Sequence, residues 1–126
     1  MLNGLPAQAH GLRRLVYAIA RHDGRPMAFS GLWEGFRSPD GTVLRTFAII
    51  TANANADMAG LHDRTAVILD QAGWPTWLDE TGGERAALLR PAADGMLRDW
   101  PISTLVNTPR NNTPDLLDQL KPPFVE

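Results

Sequence analysis

The chain has 126 residues, enough for one domain and too few for two with ordinary cores. Hydrophobic residues make up 44% and charged residues 21%, a globular mix that excludes disordered and collagen-like classes. Twelve basic against fourteen acidic residues leave a net charge of −2, so contact with nucleic acid would have to rest on a local cluster, not a bulk field.

Residues 1–14 carry no clear period and read as an unpatterned lead-in. From Leu15 the run Leu15–Ala20 is short, apolar and partly β-branched, which predicts a strand. His22-Asp23-Gly24-Arg25 follows as a turn, with glycine at the positive-φ position. Met27–Phe36 and Thr42–Thr51 predict two longer strands around the Ser38-Pro39-Asp40-Gly41 turn, and together these elements suggest a three-stranded antiparallel meander over 15–51. Asn53 or Asn55 is placed to cap a short helix ending at Gly60. Ala66–Leu69 predicts another strand. Asp70 is placed to cap a helix carrying Trp74, Trp77 and Leu78 on one face. Glu84–Leu89 is a second short helix, stopped before Pro91. Trp100–Val106 predicts a strand, and Thr113-Pro114-Asp115 opens a short helix through Leu117. Residues 119–126 form a proline-containing tail.

Candidate chemistry is sparse. Cysteine is absent, which removes disulfides, thiolate metal sites and thiol nucleophiles together. All basic residues except Lys121 are arginine, whose planar fork suits phosphate. His10 and His22 read as solvated surface residues. His62 sits between a helix end and a strand within His62-Asp63-Arg64, where an imidazole flanked by acid and base suits proton transfer. Read alone, a histidine without an identified partner is more often a packing or capping residue. No metal-ligand spacing surrounds His62, and no glycine-rich phosphate loop or nucleophile elbow is present, so neither metal nor cofactor is expected. Glu34, on a strand between glycines, is either an active-site carboxylate or a solvent-facing residue. Trp74, Trp77 and Trp100 read as core anchors first and base-stacking platforms second. No apolar stretch approaches the roughly 18 residues of a membrane span, and no basic-then-apolar leader is read at 1–10, so a cytoplasmic location is expected.

Three segments in order carry a resemblance. Met27-Ala28-Phe29-Ser30-Gly31-Leu32-Trp33-Glu34, then Phe47–Thr51 through Leu61-His62-Asp63-Arg64, then Val106–Leu116 are similar to the motifs of the SOS-response-associated peptidase family of abasic-site processing proteins. The resemblance runs over about residues 15–118 and covers the C-terminal half of that family's domain. It implies an α+β fold: an antiparallel, barrel-like sheet with small peripheral helices, here N-terminally truncated. It also implies an enzyme-family member whose partner is single-stranded DNA bearing an abasic site. The family processes its own N-terminus and crosslinks the abasic aldehyde through the amine and thiol of an N-terminal cysteine. By position, His62 matches the family's catalytic histidine, and Thr51 and Arg64 match residues lining the DNA site. Asn107 and Arg110 match the closing motif, expected to be mainly structural. Lacking the cysteine, this chain is expected not to crosslink. The alternatives are a non-catalytic DNA-binding module using Thr51, Arg64 and Arg45, or a fragment with no function of its own.

Overall fold

The computed structural model describes residues 15–123. The lead-in with His10 and residues 124–126 lie outside the described residues. Strand β1 (Val16–Arg21) pairs along its whole length with β8 (Leu97–Ile102), from Val16 opposite Ile102 to Arg21 opposite Leu97. His22 extends that ladder by donating its N–H to the Met96 carbonyl at 2.9 Å. Beneath it sits the core, where Met58, Leu61, Ile68, Ala92 and Leu97 cluster and Tyr17, Ile19 and Met27 pack from the edge. Each large side chain fully buried there contributes roughly 1.5–3 kcal/mol.

The other strands form three ladders: β2 (Ala28–Phe29) with β7 (Ile68–Leu69), β3 (Gly31–Arg37) with β4 (Val43–Ile49), and β5 (Thr51–Asn53) with β6 (Arg64–Ala66). They meet at one point. Ser30 donates its N–H to the Val67 carbonyl, Val67 to Ile50, and Ile50 to Ser30, at 2.9, 2.9 and 3.0 Å. Three extended segments, 28–37, 43–53 and 64–69, therefore each change partner at one residue while keeping their backbone groups satisfied. Ser30 and Val67 are fully buried at this junction.

The fold class is as expected: antiparallel β-structure with small helical pieces at the periphery. Among the described residues the ladders are all two-stranded, with no closed barrel. The expected meander is corrected. Its 38–41 turn forms, with Gly41 at φ 87° and its N–H on the Ser38 carbonyl, but β1 leaves for β8. At the bend the Asp23 carboxylate takes bonds from the Arg21 guanidinium and the Arg25 N–H. The chain there turns towards β7 instead of doubling back along β1.

The helices are shorter than expected. Residues 55–61 make two successive turns and no helix, although Asn55 Oδ1 does cap them by accepting the Met58 N–H at 3.1 Å. Asp70 precedes a 3-10 turn (Gln71–Gly73) and α1 (Trp74–Trp77) but makes no side-chain cap, lying instead 3.8 Å from Arg21. Arg85–Leu88, Thr104–Asn107 and Pro114–Leu117 are single 3-10 turns. The last strand ends at Ile102, because the Ser103 hydroxyl accepts the Leu105 N–H and turns the chain. The tryptophans are not core anchors. Trp74 and Trp100 are amphipathic pegs, each donating its indole N–H to a carbonyl, Leu69 and Leu117 respectively. Trp77 is half-buried beside them. No helix of the described residues is long and apolar enough to cross a membrane.

Candidate nucleic-acid site

The site is built on the β5–β6 ladder. Arg64 lies directly opposite Asn53, and Thr51, two residues before Asn53, projects from the same face. The guanidinium therefore reaches both. Its Nη1 donates to Asn53 Oδ1 at 3.1 Å, and its Nη2 donates to the Thr51 carbonyl at 3.0 Å and hydroxyl at 2.9 Å. All three acceptors are neutral, and among the described residues no carboxylate lies within ion-pair distance of Arg64. The side chain is thus fixed in place without its charge being cancelled, a geometry suited to a second, anionic partner.

His62 stands two residues before Arg64 and is held through one ring nitrogen. Nδ1 accepts the Arg64 N–H at 3.0 Å, and the Arg64 carbonyl and Asp63 carboxylate lie at 3.0 and 3.1 Å. The backbone of Arg64 and the Asp63 carboxylate thus fix the orientation of the ring through Nδ1.

Thr51, His62 and Arg64 line one cavity of about 440 Å³ whose floor is apolar, from Ile19, Met27, Phe29 and Leu97. A larger recess of about 520 Å³ near Asp70 and Arg90 contains none of the three. The other sequence candidates lie apart from the pocket. Glu34, opposite Thr46, lies in a groove with Trp33 and Phe47, while Arg45 faces Gly35 on the same hairpin. Asn107 ends a 3-10 turn, and Arg110 lies in the loop that follows. Among the described residues no group of three or more acidic or histidine side chains could hold a metal.

Sequence reasoning missed Asn53, which holds Arg64 together with Thr51. The signal was present in the alternation of Thr51-Ala52-Asn53, which puts both polar groups on one strand face. It also missed the support beneath the site. Asn55, buried, donates from Nδ2 to the Ala92 and Ala93 carbonyls at 3.1 and 3.4 Å. Asp57 accepts the N–H groups of Gly95 and Leu97, and these bonds, Gly95 first, hold its carboxyl below the usual aspartate value. The turns before His62 are thereby fastened to the start of β8.

Comparison with known proteins gives this geometry a context. The family model described as SOS response associated peptidase (SRAP) matches residues 7–109. The abasic site processing protein YoqW of Bacillus subtilis is 36% identical over 94 residues, 72% of this chain and 42% of that protein. The abasic site processing protein HMCES of Gallus gallus is 35% identical over 98 residues, 74% of this chain and 29% of its own. A crystal structure of a protein from Bacteroides thetaiotaomicron superposes with a TM-score of 0.76 at 21% identity, covering 88% of this chain and 50% of that one. The chain thus spans less than half the length of these curated relatives. With its 103 matched positions ordered as the motifs are, the chain belongs to the SOS response associated peptidase family.

Proposed function

We propose that this chain binds single-stranded DNA at abasic sites through the Thr51–His62–Arg64 pocket, without crosslinking it. The observation supporting this reading is the guanidinium of Arg64, pinned by three neutral acceptors and left with its charge uncompensated beside an imidazole. A phosphate would pair with Arg64, and the Thr51 hydroxyl would add a donor. The apolar floor suits a sugar that has lost its base, and His62 would exchange protons with the ring-opened deoxyribose.

Covalent capture needs more than this. An amine condensing with the abasic aldehyde releases water and leaves an imine, and a thiol must then add across C=N to close a thiazolidine. These 126 residues include no cysteine, so the second step has no nucleophile among them. The self-processing of the family's name falls outside this reading for the same reason.

The test pairs two assays on the same oligonucleotides, with and without an abasic site. A native gel is expected to show a complex favouring the abasic strand, and a denaturing gel no adduct. A denaturant-stable adduct, or equal affinity for the two strands, would refute the proposal.

A further inference from the structure

The β3–β4 hairpin is apolar on both faces and covered on neither. Residues paired across the ladder share a face. One face therefore carries Trp33, Val43, Phe47 and Ile49 beside Arg37 and Arg45, with Trp33 and Phe47 directly opposite one another and 75% and 79% exposed. The other carries Leu32, Phe36 and Leu44, each close to 60% exposed, around Glu34 and Thr46. Neither strand has a second neighbour along this stretch among the described residues. A two-stranded ribbon with no layer against it is marginal in water, and contiguous exposed apolar surface marks an interaction site.

We propose that this hairpin is the docking element for a polypeptide corresponding to the other half of an SRAP domain, which encloses it from both sides. Two observations select this occupant. The match covers 50% of the crystal structure that shares the fold, so an equal mass of protein accompanies this half there. The apolar pattern is also two-sided. A symmetric pair of copies meets through one patch on each, and a nucleic-acid strand stacks on one face of a sheet; either would leave the second face in water. Enclosure on both faces is what strands with apolar residues at consecutive positions require. The inference rests on membership of the family and is independent of DNA binding, so failure of either leaves the other standing.

The full chain is co-expressed with the part of Bacillus subtilis YoqW that it does not match, and the purified material is analysed by light scattering and amide hydrogen exchange. A 1:1 complex is expected, with exchange in 31–37 and 43–49 slowed at least tenfold relative to the chain alone. Trp33→Lys and Phe36→Lys, on opposite faces, should each abolish the complex. Leu105→Lys, exposed elsewhere, should leave it intact. Because the substituted side chains are exposed, the thermal transition of the free chain should not move. Absence of a complex overturns the proposal, as does a dimer of the chain alone with a protected hairpin. Sensitivity to Trp33→Lys without Phe36→Lys also overturns it, since it reports a one-faced contact.

Discussion

Replacing Asn55 by alanine tests whether the turns that present His62 are held by one buried amide. Asn55 is 7% exposed, and its two ends act on different segments. Oδ1 caps the 55–61 turns through the Met58 N–H at 3.1 Å, an interaction worth about 1 kcal/mol. Nδ2 donates to the carbonyls of Ala92 and Ala93 across 37 and 38 residues of chain. Ala92 is itself buried, so losing the donor leaves a carbonyl without solvent to replace it, at a cost of about 1–2 kcal/mol. The total is about 2–3 kcal/mol. At an unfolding entropy of about 2 cal/mol/K per residue, that lowers Tm by roughly 8–11 °C. Urea unfolding followed by circular dichroism reads it as a lower midpoint at constant slope. Asn55→Asp separates the two ends, because it keeps the capping oxygen, loses both donors and faces the Asp57 carboxylate; it should be at least as damaging at pH 7. A loss below about 0.5 kcal/mol for Asn55→Ala, or full stability of Asn55→Asp, would refute this account of the clamp.

Three further outcomes follow from the geometry. Ser30 Oγ is buried at the three-strand junction without a partner among the described residues, so Ser30→Ala should raise stability by about 1 kcal/mol; a loss of similar size in calorimetry would mean the hydroxyl is bonded. Asp57 has its carboxyl held below the ordinary 3.8, so the folded state keeps it ionised where the unfolded chain takes up a proton. Its contribution is complete above about pH 5 and fades as pH falls through the lowered folded value; Asp57→Asn should lower stability at pH 7 and flatten the acid limb of the pH–stability curve. Thr51→Val removes one of the three acceptors on Arg64 and should weaken binding to abasic DNA two- to fivefold in fluorescence anisotropy while leaving Tm within about 2 °C.

Local chemistry was legible in the sequence where short-range physics decides it. The Ser38–Gly41 turn and the Asn55 cap follow from side chains acting within four residues. Thr51 and Arg64 were singled out only by the family resemblance, and it is the pairing of β5 with β6, across 13 residues of chain, that brings their side chains together. Partner choice was not legible. Nothing in Val16–Arg21 says that its edge will be taken by residues some 80 positions away, and nothing in Met27–Phe36 says that the strand changes partner at Ser30. The tryptophans misled for a related reason. Apolar spacing at Trp74 and Trp77 predicts a buried face, yet a four-residue helix at the periphery can cover only part of it. The hairpin residues Trp33 and Phe47 read as ordinary strand residues, and their exposure emerges only from the absence of a layer over them.

The central claim is that Arg64 supplies an uncompensated charge to a DNA phosphate. The most direct measurement is the salt dependence of binding to single-stranded abasic DNA, for the unaltered chain and for Arg64→Ala. Each phosphate contact on a single strand contributes about 0.7 to the slope of log K against log salt. The account predicts that Arg64→Ala lowers that slope by about 0.7 and weakens binding roughly tenfold at low salt. An unchanged slope and unchanged affinity would contradict it.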